Sequence, residues 1–215
     1  GHSNAAFGMQ SLRVATTGAS NTALGTYSLY DLNTGYQNVS IGQSAGENIT
    51  DGNNNVLVGY RAGYTGTSPD GAIGIGYRAL YNNTVDSSIA IGYDAGFALT
   101  SGARNTVIGY QSALNNVTGT DGTFVGYQSG LNVLLNNNTG VGAYTFQKIG
   151  TTGGGGAGEG NTALGTFAMS GGDDTVANNT AKNNVAVGYA TLGGATKSSD
   201  GSAFTAANNV AVGYQ

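Results

Sequence analysis

A five-residue phrase, Asn-x-x-[Ile/Leu/Val]-Gly, returns along the whole chain, closing at Gly8, Gly25, Gly42, Gly59, Gly76, Gly92, Gly109, Gly126, Gly142, Gly165, Gly188 and Gly213. The first nine of these glycines are 16 or 17 residues apart, and the last three intervals are 23, 23 and 25. A unit this short cannot bury its apolar side chains alone. It must stack on its neighbours, so the repeat implies a solenoid.

Counting from the phrase-ending glycine as position 0, position −4 is Asn in nine coils and is replaced by Ala72, Ser88 and Gly122 in the other three. Position −3 is β-branched in eleven coils, and position −1 is always large and apolar. Position −2 is mixed and mostly small. This alternation predicts a short β-strand over −4 to −1, with −3 and −1 facing inward and −2 outward. Position +3 is Ser, Ala or Thr and +4 is Gly, Ala or a larger apolar residue, which reads as a second, thinner strand. Thr34-Gly35, Asp51-Gly52, Pro69-Asp70-Gly71 and Asp121-Gly122 supply the turns. The fold class is therefore all-β, a parallel β-solenoid of about twelve short coils. Residues 1–149 form its regular part and 150–215 a continuation with long inserted loops. The Asn column is expected to form a ladder of amides that bond one another and cover turn carbonyls.

Composition narrows the function classes. With 39 Gly but a single Pro and no Gly-X-Y period, the chain is not collagen-like. Register-locked β-branched residues argue against a disordered low-complexity chain. The seven basic residues are scattered singly and the net charge is −4, so no basic stripe exists for nucleic acid. Cysteine is absent, and no apolar run reaches the roughly 18–20 residues of a membrane span. The chain opens on Gly and stops just past a phrase at Gln215, the expectation for a piece of a longer protein.

Asn38-Val39-Ser40-Ile41-Gly42, Asn105-Thr106-Val107-Ile108-Gly109 and Asn184-Val185-Ala186-Val187-Gly188 resemble the head repeats of trimeric autotransporter adhesins. The Gly-Tyr extension, as in Gly109-Tyr110, is similar to repeats of bacteriophage tail-fibre proteins. The resemblance spans nearly the whole chain, although this repeat is longer, adds a tyrosine and carries C-terminal insertions. It implies a left-handed β-roll, three chains side by side, an extracellular, cell-surface or virion setting, and a role in attachment. No catalytic or cofactor residues come with it.

Self-association is expected on physical grounds as well: two modest apolar side chains per coil make a thin core for the chain they must order. Candidate functional residues fall in two sets. Tyr60, Tyr77, Tyr93, Tyr110 and Tyr127 recur at +1 in consecutive coils and should form an aromatic ladder, read as structural in the first place and as a glycan-binding face in the second. The long C-terminal loops carry Gly153, Glu159, Asp173, Asp174, Lys197, Asp200 and Phe204, candidate contacts for a host-surface glycan or protein receptor.

Other sharp readings fare worse. Gly153-Gly154-Gly155-Gly156-Ala157-Gly158 satisfies the spacing of a phosphate loop but follows no clear strand. The Asp-Gly turns lack the acidic density of calcium solenoids, so no metal or cofactor is expected. His2 is the sole histidine and the carboxylates are scattered over turns, which argues against an enzyme. Thr106, Thr123, Thr139 and Thr162 form the regular column an ice-binding face needs, but −3 is expected to point inward. The sequence thus points to a non-enzymatic attachment fibre or adhesin module. The alternatives are a spacer subunit of a filament or virion, or a carbohydrate-binding module.

Overall fold

The computed structural model describes residues 1–84, 86–133, 136–147, 158–170, 182–192 and 207–214. They form an all-β parallel solenoid with one three-residue strand per phrase. The strands are β1 (Ala5–Phe7), β2 (Thr22–Leu24), β3 (Val39–Ile41), β4 (Val56–Val58), β5 (Ile73–Ile75), β6 (Ile89–Ile91), β7 (Thr106–Ile108), β8 (Thr123–Val125), β9 (Thr139–Val141), β10 (Thr162–Leu164), β11 (Val185–Val187) and β12 (Val210–Val212). They lie in chain order in a single twelve-stranded sheet. Register is kept residue for residue: Val56 pairs with Ile73 and Val58 with Ile75, and across the long intervals Thr162 still pairs with Val185 and Val187 with Val212. The longer intervals therefore do not shift the register. At the usual strand spacing of about 4.8 Å the sheet is roughly 50 Å long.

The strand faces the opposite way from the sequence expectation. From Ala23 to Ala186 every −2 residue is buried, whereas −3 and −1 are half-buried or exposed. Ala90 is 0% exposed, while Ile91 and Ile108 are 36% and 37% exposed. The reason is space: one coil encloses a narrow interior that also receives +3, +4 and +7. Its side chains there are Ala62, Ala79 and Ala95 at +3, Leu29 and Leu80 at +4, and Leu32, Ile49, Leu99 and Val133 at +7. A β-branched residue at both −3 and −1 does not fit this interior, and the larger column turns outward.

Volumes inside a coil are matched in pairs. Where −2 is large, +4 is glycine or alanine, as in Leu57/Gly63, Val107/Ala113 and Phe124/Gly130. Where −2 is small, +4 is often large, as in Ala23/Leu29, Gly74/Leu80, Gly140/Phe146 and Ala163/Met169. A methyl group on Gly63 would sit 2.7 Å from Leu57 Cδ2, and one on Gly130 would sit 2.4 Å from Phe124 Cδ1. Ser40/Gly46 and Ala90/Gly96 are small at both positions, and leucines from adjacent coils reach in. The methyl of a substituted Gly46 would meet Leu29 and Leu57 at 2.8 and 3.0 Å.

The expected second strand is a pair of stacked turns instead. The +3 amide donates to the carbonyl at 0 (Ala45 to Gly42, 3.3 Å), and the +7 amide donates to the carbonyl at +4 (Ile49 to Gly46, 3.1 Å). Both turns need positive φ. Position +2 supplies it with Arg61 (52°), Arg78 (50°) and Asp94 (52°), and position +4 with Leu29 (47°) and Leu80 (53°). A left-handed non-glycine residue costs about 1–2 kcal/mol. The neighbouring coils hold it there: the Arg61 amide donates to Gln43 O at 3.0 Å, and the Leu29 amide to Ala45 O at 3.0 Å. At position 0 only glycine serves, because Gly59 has φ 136° and a methyl there would lie 2.3 Å from the Gly76 carbonyl oxygen.

The Asn column forms a buried ladder. Asn55 Nδ2 donates to Asn38 Oδ1 at 2.9 Å and to Pro69 O at 2.7 Å, and the Asn55 amide donates to the same Oδ1 at 3.0 Å. Its third gap has a packing cause: a methyl on Gly122 would sit 2.6 Å from the Phe124 ring, so no Asn fits there. Downstream of that gap the buried Asn138 Nδ2 has no partner.

The paired volumes set the first prediction. Leu57→Ala should lower unfolding free energy by about 2–5 kcal/mol. Adding Gly63→Leu should restore most of it, because the double variant copies the Ala23/Leu29 coil. Chemical denaturation checks this, and a double variant no more stable than Leu57→Ala would refute the pairing.

Candidate functional site

Beside the sheet, the turns line up two aromatic columns. At +1 the rings of Tyr60, Tyr77, Tyr93, Tyr110 and Tyr127 stack with centroids 5.3, 4.7, 5.2 and 5.3 Å apart and planes within 18° of parallel. Where +1 becomes Ala143 and Thr166, Tyr144 and Phe167 at +2 take over. They stack at 4.9 Å, and the column returns to +1 with Tyr189 and Tyr214 at 5.3 Å. The second column, at +5, contains Tyr64, Tyr81 and Phe97, with centroids 5.1 and 4.9 Å apart. Sequence reading missed it, although an aromatic residue recurring five positions after three successive phrase glycines was a usable signal.

This geometry bears on the ladder's chemistry. Coil spacing brings each ring against the next, so within the column the ring faces are turned to neighbouring rings. Ring edges and hydroxyls are what remain for solvent, and Tyr93 is 42% exposed. A sugar that stacks face-on needs a free ring face, and the ladder offers no row of them.

Between the columns, position +2 forms a polar stripe of Ser44, Arg61, Arg78, Asp94, Gln111 and Gln128. The Arg78 guanidinium lies 5.1 Å from the Tyr77 ring centre and 4.7 Å from that of Phe97. It donates twice to Asp94, from Nε to Oδ1 at 2.8 Å and from Nη2 to Oδ2 at 2.6 Å. That hydrogen bonding holds the Arg78 guanidinium above its usual pKa, against the opposing effect of desolvation. Arg61 lies 5.2 Å from the centre of Tyr60 and 4.9 Å from that of Tyr64. Further along, Gln128 Nε2 donates to Gln111 Oε1 at 2.8 Å. On the far side of the coil, Arg104 forms an exposed pair with Asp121, and that hydrogen bond lowers the Asp121 pKa.

Among the loop candidates, Glu159 is half-buried within the stack. Its carbonyl accepts from the Asn183 amide at 3.0 Å, and its Oε1 accepts from Asn136 Nδ2 at 3.5 Å. Gly153, Asp173, Asp174, Lys197, Asp200 and Phe204 lie outside the described residues. Among the described residues no group of three or more His, Cys, Asp or Glu side chains could hold a metal ion, and no helix is long and apolar enough to cross a membrane.

The outward sheet face forms a continuous surface along the stack. Its −3 column runs Val39, Val56, Ile73, Ile89, Thr106, Thr123, Thr139, Thr162 and Val185, and its −1 column runs Ile41, Val58, Ile75, Ile91, Ile108, Val125, Val141, Leu164 and Val187. Neither column contains a charged residue, and the Tyr column borders them. Comparison with family models, with curated proteins and with solved structures gives no match.

The central ring of the ladder gives the second prediction. Tyr93→Ala removes two stacked neighbours and should lower unfolding free energy by about 1–3 kcal/mol, whereas Tyr93→Phe should keep most of the stability. Denaturant titration of both variants checks this.

Proposed function

We propose that the chain is a non-enzymatic rod module of an extracellular attachment fibre or adhesin, working as a side-by-side oligomer, with three chains the arrangement that its resemblance to trimeric adhesin heads implies. The observation that carries this reading is the outward sheet face. Two columns of β-branched and aliphatic residues, flanked by tyrosines, run along the rod without a charge. From −3 to +1 the face is about 13 Å wide, so over the length of the sheet it presents on the order of 700 Å². The largest apolar patch on a typical monomer is about 300–600 Å², and a stable pairwise interface takes about 800 Å² from each partner. The face is thus of interface size. A second copy meets it in register because both surfaces repeat at the same spacing, and the narrow coil interior leaves this face as the main reserve of unburied apolar surface. A rod of this kind serves by presenting its surface and its loops at a distance, which fits attachment and equally a spacer.

Light scattering should give about three times the 21.4 kDa chain mass. Ile91→Asp combined with Ile108→Asp should dissociate the assembly while leaving the β-sheet circular dichroism of each chain in place. Ala90→Asp, one residue away but pointing inward, should abolish folding instead by burying an unpaired charge. A stable wild-type monomer would overturn the oligomer.

A second reading is favoured by one observation. Thr106, Thr123, Thr139 and Thr162 occupy −3, and −3 points outward. With Ile108, Val125, Val141 and Leu164 two residues on, they make a regular Thr-x-aliphatic lattice of the type that can order water. If this face binds ice, the monomer should show thermal hysteresis, lost on Thr123→Tyr and Thr139→Tyr. Nanolitre osmometry decides it, and no hysteresis in a monomeric sample removes the reading.

A further inference from the structure

The polar stripe between the aromatic columns has an unbalanced charge. Arg61 and Arg78 occupy the same register position in adjacent coils, and Asp94 follows in the next. The carboxylate satisfies Arg78 in a two-pronged contact. For Arg61 the corresponding downstream position is Arg78 itself, a like charge. Among the described residues the ion pairs are Arg78–Asp94 and Arg104–Asp121, and Arg61 is in neither. Its Nε is buried with no hydrogen-bond partner. The two guanidinium groups rest differently for this reason: Arg78 reaches forward over Phe97 of the next coil, whereas Arg61 stays over Tyr60 and Tyr64 of its own.

We propose that Arg61, held between Tyr60 and Tyr64, is the anchor of a binding site for the carboxylate of an acidic saccharide. The carboxylate assignment follows from the neighbouring coil, where an arginine in the same register takes a planar carboxylate through two donors. With its Nε buried, Arg61 has its two terminal nitrogens to offer, and a guanidinium fork prefers a planar carboxylate. The aromatic rings pre-position the arginine, so little side-chain freedom is lost on binding. The saccharide assignment follows from what surrounds it. Tyr60 and Tyr77 at +1 and Tyr64 and Tyr81 at +5 flank the stripe, and Ser44 lies one coil upstream. These hydroxyls suit a polyhydroxylated ligand and leave a row of apolar side chains without a counterpart. Glu47, at +5 one coil upstream of Tyr64, is the nearest competing acid by register and sets a preference for ligands that reach Arg61 from the downstream side. The site is centred on the turn at +2, beside the outward sheet face, and shares that face's edge at Tyr60.

The test is calorimetric titration of the full chain with a glucuronate-containing tetrasaccharide, a neutral tetrasaccharide of the same length, and a short Asp/Glu peptide. The uronate oligosaccharide should bind, the neutral one at least tenfold more weakly, and affinity should fall with added salt. Arg61→Ala should remove binding and Arg61→Lys should weaken it several-fold, because an ammonium lacks the fork. Arg104→Ala should change nothing, and Glu47→Gln should strengthen binding. Circular dichroism establishes that each variant is folded, and Arg61→Lys retains the charge and stem if the alanine variant is not. Absence of uronate binding, equal binding of the neutral sugar, or full affinity in folded Arg61→Ala would overturn the proposal. Equal, Arg61-dependent binding of the acidic peptide would overturn the saccharide assignment.

Discussion

Everything in this rod depends on the hydrogen-bond ladder that runs from each coil to the next. The strand contributes only three residues per coil, yet the ladder extends beyond it: the Gly42 amide donates to Leu24 O at 2.8 Å, the Ser44 amide to Thr26 O at 2.8 Å, and the Leu29 amide to Ala45 O at 3.0 Å. Because every register position is tied to its equivalent above and below, a residue type repeated in sequence becomes a column in space. The buried Asn ladder, the stacked tyrosines, the arginine stripe and the outward apolar face are all consequences of that registration. The ladder also explains how Arg, Asp, Leu and Tyr tolerate left-handed backbone at +2 and +4. Each is held between two coils, and the hydrogen bonds offset a strain of about 1–2 kcal/mol per residue.

Registration places demands on the interior. Identical side chains in every coil would collide or leave voids at a spacing of about 4.8 Å. The chain meets this by trading volume between −2 and +4 and by borrowing leucines from adjacent coils, as at Gly46. The interior is full, but it is filled largely with Ala, Ser, Gly and a few Leu and Phe. Its buried hydroxyls are satisfied at the backbone: Ser40 Oγ donates to Ala45 O at 2.8 Å and Ser112 Oγ to Phe124 O at 3.0 Å. A core of this composition leaves the larger aliphatic residues outside. That leaves a continuous apolar surface on the outward face, on which the proposed self-association rests, and it frees the turns to carry aromatic and charged chemistry.

Periodicity made the repeat, the strand positions, the parallel stacking and the Asn ladder legible, because each depends on recurrence alone. The facing of the strand was not legible. Alternation shows that −3 and −1 share one side and −2 the other, but the rule that the more apolar side is buried assumes one core per chain. Here Val39 and Ile41 look outward while Ser40 is buried. The turn at +1 to +4 was hidden for a different reason: Arg61 and Leu80 carry no sign of a positive φ, which the neighbouring coils impose. The pairing of Arg78 with Asp94 and the like-charged neighbour of Arg61 could have been read from adjacent +2 positions, but the burial of Arg61 Nε could not.

The sequence by itself determined a stacked, in-register β-solenoid, because a 16–17-residue unit with one apolar phrase has no other way to be buried. Only the tertiary structure decided which side of the phrase is the inside. That choice rests on the cross-section of a closed coil, which is set by both turns and by the +3, +4 and +7 side chains together. No single position in the repeat encodes it.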